Sequence, residues 1–306
     1  MDNDVRMKAM ETMNVKGIGF DYTVTNVNPV LGGEAFLFLS ENTAFLYDSG
    51  FVFSGNQVVN NIKKILGDRP LDYVLLTHSH YDHALGAPYC AREWKDVKVV
   101  ASRHASKVFG KDSAKRVMRE LSAEAAKVND VTEFEDLIDG LHVDLAVGEG
   151  DVLDLGDFVF TVHEYPGHTR CSIGFYCPGE KLLLSCETLG VYIGDGSMYP
   201  VYLVGYQTIL DSISRAMGLD IRYMLLPHTG MVFGDDCRMS LANAREMAIS
   251  SAEEIVKGYR AGKTPEELIE ILRRDYYTDL IKTLQPEAAF LLNSRIMITM
   301  IIKELG

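Results

Sequence analysis

Thr77-His78-Ser79-His80-Tyr81-Asp82-His83 places four potential metal ligands within six residues, in the order His-x-His-x-Asp-His. The stretch follows Tyr73-Val74-Leu75-Leu76, an apolar run that reads as a buried strand. Alternate residues of an extended chain share a face, so a strand ending here delivers His78 and His80 on one side. Asp82 and His83 then fall at the start of the next helix, where Asp82 can point the other way. A short loop arranged like this can serve two adjacent metal ions. Zn²⁺ and similar borderline-soft cations prefer this mix of neutral imidazole and carboxylate oxygen. A lone His is ordinarily a surface or core residue, and Asp82 alone would read as a helix N-cap. Here three of the chain's eight His share one loop, which favours the metal reading.

Two further His occupy matching contexts. Phe158 to Tyr165 reads as a strand that Pro166-Gly167-His168-Thr169 turns out of, and Tyr223-Met224-Leu225-Leu226 reads as a strand ended by Pro227-His228-Thr229-Gly230. In both, the His directly follows the Pro or Pro-Gly that stops the strand, so it sits at a carboxyl end. Open α/β sheets gather their sites at such ends.

In these motifs the chain resembles the metallo-β-lactamase superfamily. Tyr47-Asp48-Ser49-Gly50, the 78–83 loop, His168, the segment around Glu187 and His228 follow that family's order and approximate spacing, from about Phe36 to Gly230. The resemblance implies an α/β fold, an αββα sandwich with a dinuclear metal site along one edge. It implies that His78, His80 and His168 hold a first metal and that Asp82, His83 and His228 hold a second. Asp82 is also the candidate catalytic residue. Asp48 would support a His-bearing loop from behind through hydrogen bonds; otherwise it is an ordinary turn Asp before Ser-Gly.

The chain departs from the family at the bridging carboxylate, which is normally an Asp. Here Ser185-Cys186-Glu187-Thr188-Leu189-Gly190 offers Glu187 as the carboxylate in register. The expectation is that Glu187 bridges both metals; the alternatives are that it binds one, or leaves the second site weak. Cys186 is either a thiolate ligand suited to Zn²⁺ or, more simply, a small buried residue.

Two close cations acidify a shared water and neutralise the anion formed by its attack, which suits hydrolysis of esters, thioesters, lactams and phosphodiesters alike. The cofactors expected are two divalent ions, Zn or Fe, with Mn also compatible. Composition bears on the substrate. The chain carries 30 Lys and Arg against 43 Asp and Glu, a net charge of −13. Such a field repels nucleic acid, whose binders must neutralise phosphates with basic surface. Lys107, Lys111, Lys115, Arg116 and Arg119 cluster in one helical segment, best read as a solvated face. A small-molecule substrate is expected.

Residues about 104–150 read as an insertion between strands Val97–Ala101 and one beginning near Val152. Within it, Ser113 to Val128 reads as a helix with Val117, Met118, Leu121 and Ala125 on one stripe. After Gly230 the chain turns helical. Thr264-Pro265-Glu266-Glu267 is a capping box with Pro at the first helical position. Pro286 to Leu305 is apolar around most of its circumference and must be buried, against the body or against a second subunit in a homodimer. The expected organisation is a catalytic domain, 1–237, with a C-terminal helical cap, 238–306. The insertion, the terminal helix and the Tyr81-Asp82-His83 triplet are similar to the quinolone signal response branch of the superfamily, whose members are thioesterases acting on an acyl-CoA. That branch has Asp where this chain has Glu187. The resemblance therefore implies a small acyl ester or thioester as substrate.

Two other readings use the same residues: persulfide oxidation at one iron, or a regulatory protein retaining the site. At 306 residues and 47% hydrophobic content the chain can bury a large core. It has no uninterrupted apolar run of about 18 residues to span a membrane. The start, Met1-Asp2-Asn3-Asp4, is acidic and unlike a secretion signal. Cys90, Cys171, Cys177, Cys186 and Cys237 are scattered without CxxC spacing, as expected of reduced thiols in a cytoplasm.

Overall fold

The alternating side chains of two sheets build the layers. The computed structural model describes residues 6–194 and 196–306, so the acidic start Met1-Asp2-Asn3-Asp4 lies outside the described residues. The first sheet joins, in spatial order, β1 (Thr12–Lys16), β2 (Asp21–Asn26), β3 (Phe36–Leu39), β4 (Ala44–Tyr47), β5 (Tyr73–Leu75), β6 (Lys98–Ser102) and β7 (Leu145–Val147). It is antiparallel from β1 to β4 and parallel from β4 to β7. The second begins with β8 (Val152–Asp154), β9 (Val159–Glu164), β10 (Ile173–Cys177) and β11 (Leu182–Leu184). A separate hairpin, β12 (Val191–Gly194) and β13 (Ser197–Tyr199), precedes β14 (Tyr223–Leu226) and β15 (Gly230–Phe233), which complete the second sheet in the order β15-β14-β11-β10-β9-β8.

Odd and even positions part cleanly. Phe36, Phe38, Phe45 and Tyr47 of the first sheet meet Phe158, Phe160, Phe175, Leu182 and Leu184 of the second in one buried cluster. Phe38 stacks on Phe45 at 4.8 Å, and Phe158 meets Phe45 edge-on at 5.2 Å. Each such buried Phe contributes roughly 1.5–3 kcal/mol. Leu37, Leu46 and Val74 point the other way, towards α1 (Gly55–Leu66), α2 (Tyr81–Ala84), α3 (Ala87–Glu93), α4 (Arg103–Phe109) and α5 (Asp112–Val128). Leu183, Met224 and Leu226 face away from the first sheet, towards α6 (Tyr206–Met217) and α7 (Asp235–Arg260). The result is the αββα sandwich with a helical C-terminal region.

That region comprises α8 (Pro265–Tyr276), α9 (Asp279–Leu284) and α10 (Glu287–Leu305). The capping box forms as read: Thr264 Oγ1 accepts from Glu267 N, and Glu267 accepts from Thr264 N. Phe290, Met297, Ile298 and Ile301 of α10 share one core with Leu183 and Met224 of the second sheet, so this face of α10 is buried within its own chain. Residues 237 and 238 both lie in the first turn of α7.

Two details of the insertion differ from the sequence reading. Residues 104–150 include β7, which extends the first sheet in parallel with β6. In α5, Met118, Ser122, Ala125 and Ala126 are buried but Val117 is 48% exposed, because it faces a cavity rather than the core. Arg119 pairs with Asp136 and Asp139 at 2.6 and 2.8 Å; the basic cluster spans two helices rather than one segment, with Lys107 in α4, Lys111 at the start of α5 and Lys115 and Arg116 within it. All five Cys are buried as free thiols. Among the described residues no helix is long and apolar enough to cross a membrane.

Candidate metal centre

β4 and β5 run parallel in the first sheet; β9, β11 and β14 share one direction in the second. All five therefore end on the same side, and each is followed by a candidate residue: Asp48, His78, His168, Glu187 and His228. The sheets are tied at that edge by Ile173 N donating to Thr77 O at 2.9 Å. His80 caps α2, whose first turn carries Asp82 and His83.

These side chains form two groups. His78, His80, His168 and Glu187 make one, Asp82, His83 and His228 the other, and within each group ligand atoms lie within 4.8 Å of one another. Four of the five imidazoles are locked by a hydrogen bond at Nδ1. His78 donates to Thr77 Oγ1 (2.9 Å), His83 to Asp48 Oδ2 (2.8 Å), His168 to the Val201 carbonyl (3.1 Å) and His228 to Glu34 Oε2 (3.0 Å). Each then turns its Nε2 towards the centre, the nitrogen left to meet a cation. His80 instead presents Nδ1, 2.9 Å from His168 Nε2.

Glu187 sits between the groups, on a short turn of 3-10 helix after Cys186. Its Oε2 lies 2.7 Å from His168 Nε2, 3.2 Å from His78 Nε2 and 3.6 Å from His83 Nε2. Its Oε1 lies 3.1 Å from His228 Nε2. One carboxylate thus touches both groups. Asp48 accepts from Thr77 N at 2.9 Å as well as from Thr77 Oγ1 and His83, so it braces the His-bearing loop from behind. Asp48 (φ 51°) and His228 (φ 58°) hold left-handed backbone that non-glycine residues avoid, strain of the kind that clusters at functional sites.

Three buried polar atoms here lack a hydrogen bond: His78 Nε2, His83 Nε2 and Asp82 Oδ1. The first is within 3.2 Å of Glu187 Oε2 but out of hydrogen-bond alignment. Orphaned buried donors and acceptors are costly, by about 1–3 kcal/mol each, and rare. Their convergence, with imidazole and carboxylate as the donor set, fits divalent cations.

The electrostatics of the two groups differ. Burial pushes His78 well below the usual imidazole range, and burial with the neighbouring His168 takes His80 down to about 3. Burial also works against protonation of His83, but Asp82 and Asp48 overcome it and raise His83 to about 9. For His228, Glu187 and Glu34 likewise overcome burial and raise it well above the usual range. Burial raises Asp82. It opposes ionisation of Glu187 too, but His168 and the other imidazoles keep that carboxyl ionised. Cys186 is fully buried and belongs to neither group, and burial pushes its thiol up to about 12.

Glu34 is absent from the sequence reading. It is buried, and its His228 and Arg6 partners outweigh burial to hold it at about 2. The available signal was an acidic residue directly before the apolar run Ala35-Phe36-Leu37-Phe38-Leu39. The groups floor a cavity of about 280 Å³. Val117 and Leu121 of α5, Leu284, and Leu292 and Ile296 of α10 wall and roof it, and no Lys or Arg lines it among the described residues.

Comparison with known proteins agrees with this geometry. The family model for the metallo-β-lactamase superfamily matches residues 28–228. Hydroxyacylglutathione hydrolase of Nitrobacter winogradskyi is 29% identical over 152 residues, covering 50% of this chain and 46% of that enzyme. The acyl-coenzyme A thioesterase MBLAC2 of Gallus gallus is 28% identical over 163 residues, covering 49% of this chain and 54% of that one. The chain thus spans about half the length of these curated relatives. A β-lactamase domain protein from Burkholderia ambifaria superposes with a TM-score of 0.64 over 98% of this chain and 91% of that one at 17% identity, a likeness of fold. With the match covering most of the sandwich and all the residues of both groups, this chain belongs to the metallo-β-lactamase superfamily.

Proposed function

We propose that this protein is a metal-dependent hydrolase of small acyl esters or thioesters, working with two divalent cations. The observation that carries it is the convergence of unpaired imidazole and carboxylate atoms on the floor of an apolar cavity. Hydrolase names among the relatives, one a thioesterase, support it. Glu187 touching both groups favours two cations over the single iron of a persulfide-oxidising enzyme.

His78, His80 and His168 would hold one cation, and Asp82, His83 and His228 the other, with Glu187 between them; Zn, Fe and Mn all suit the donors. Bound there, the cations supply acidified water and neutralise negative charge developing on the substrate oxygen. The protein supplies the rest. Hydrogen bonds at Nδ1 fix four imidazoles before substrate arrives, so no reorganisation is needed during reaction. Asp82 Oδ2 lies 3.5 Å from His83 Nε2, which leaves Oδ1 to accept a proton at the cavity floor. The apolar walls seat the acyl group and exclude water. Among the described residues no Lys or Arg lines the cavity, which disfavours substrates with a phosphate or sulfate at the scissile end.

The test is a panel of p-nitrophenyl esters, acyl-CoA thioesters, lactones and phosphodiesters, assayed with protein reconstituted separately with Zn²⁺, Fe²⁺ and Mn²⁺. Turnover of short-to-medium acyl esters or thioesters that vanishes on chelation is expected. Fully metallated protein that cleaves nothing in the panel overturns the reading.

A further inference from the structure

His228 takes its outer partner, a buried carboxylate, from a segment that no motif marked. Glu34 Oε2 accepts the His228 Nδ1–H at 3.0 Å, and Glu34 Oε1 pairs with the Arg6 guanidinium and accepts from Gly32 N at 3.2 Å. Arg6 precedes the region matched by the family model. It is held in place by its neighbour: Met7 N donates to Thr229 O at 2.7 Å, directly beside His228, and Asn26 Nδ2 donates to Met7 O at 3.1 Å. The Glu34 side chain is 1% exposed and that of Arg6 is 17% exposed. A guanidinium, a carboxylate and an imidazole are thus lined up from near the N-terminus to the cavity floor.

We infer that Glu34, fixed by Arg6, is the positioning residue for the second cation group, setting both the tautomer and the orientation of His228. The inference rests on the function proposed above. A carboxylate carries no proton donor, so a hydrogen of His228 must stay on Nδ1, and the proton a cation displaces is the one on Nε2 beside Glu187. His228 needs such a tie because its backbone holds a left-handed conformation that non-glycine residues avoid. Arg6 in turn holds Glu34 against rotating away by pairing with its other carboxylate oxygen.

Replacement by Gln makes the argument sharp. An amide presents one acceptor and one donor group. With nitrogen towards His228 it forces the proton onto Nε2, which then cannot ligate. With nitrogen towards Arg6 it sets donor against donor. Either way one half of the relay fails, although size and shape barely change.

The experiment titrates metal-free full-length protein with Zn²⁺ against a chromophoric chelator, in wild type, Glu34→Gln and Arg6→Gln, with thermal melting of each metal-free form as control. Wild type should bind two equivalents. Glu34→Gln should lower affinity for the second about 10–100-fold, the usual cost of removing an outer partner, and change the first by less than about threefold. Arg6→Gln, at a partly exposed position, should show the same selective loss at smaller size and serves if Glu34→Gln does not fold. Co²⁺ absorption should change for the second equivalent only. Two equivalents bound normally by both variants overturn the inference and leave the hydrolase reading intact, as does equal loss of both equivalents, which marks a merely structural role. A wild type that binds no Zn²⁺ overturns both.

Discussion

The two halves of the metal centre are held by different chemistry. The first group is tied at Nδ1 by neutral oxygens, a threonine hydroxyl for His78 and a backbone carbonyl for His168. The second is tied by carboxylates, Asp48 for His83 and Glu34 for His228. Burial leaves His78 and His80 of the first group unprotonated, whereas carboxylate partners overcome burial and leave His83 and His228 of the second protonated without metal. The lesson is that one site can contain a group ready for a cation at neutral pH beside one that must release protons to accept it.

The largest effect expected is on turnover. Asp82→Ala removes a member of the second group and the proton acceptor together, and should lower kcat by about 10²–10⁴-fold in steady-state assays. Comparable activity in this variant would mean the second group is dispensable. The pH dependence comes next. Zn²⁺ added to metal-free protein at pH 7.5 should release more protons with the second equivalent, about one each from His83 and His228, than with the first, measured with a weakly buffered indicator. The sign follows from the shifts. His83, raised to about 9, stabilises the metal-free fold fully below its unfolded value near 6.5, and this support is lost as pH rises through about 9. His80, lowered to about 3, acts oppositely: the unfolded chain takes up its proton first, so stability drains as pH falls from about 6.5 towards 3. Equal proton release from both equivalents would erase the contrast.

Asp48→Asn probes the same difference from the bracing side. Because Asp48 holds both His83 and Thr77, affinity should fall about 10–100-fold for the second equivalent and less for the first, read by the same chelator competition. Thr77→Val should have the smallest effect. It removes the hydroxyl that accepts from His78 Nδ1 and donates to Asp48; the bond bearing on the first group is the neutral one to His78, worth about 0.5–1.5 kcal/mol, so loss at the first group should stay near or below tenfold in Zn²⁺ titrations. A larger loss than for Asp48→Asn would reverse the ranking.

Much of the site was legible because its residues sit next to local punctuation. His168 follows Pro166-Gly167 and His228 follows Pro227, so the strand ends could be located and the ligands read at them. The layers were legible through alternation, as in Phe36-Leu37-Phe38-Leu39, where successive side chains serve different cores. Glu34 was not legible, since its bond to His228 spans 194 positions and leaves no local periodicity. Nor was the cavity roof. Val117 and Leu292 look like core residues in a helical stripe, and only the placement of α5 opposite α10 leaves them about half exposed over the metal groups. β7 was missed for a related reason: Leu145-Ala146-Val147 is too short to show a period, and pairing with β6 defines it.

The central claim is that Glu187 stands between two cation positions, and anomalous diffraction from crystals grown with Zn²⁺ tests it most directly. Two peaks are predicted, one among His78, His80 and His168, the other among Asp82, His83 and His228, with the Glu187 carboxylate in contact with both. Crystals diffracting well at saturating Zn²⁺ with no peak in either group, or with Glu187 turned away from both, would contradict it.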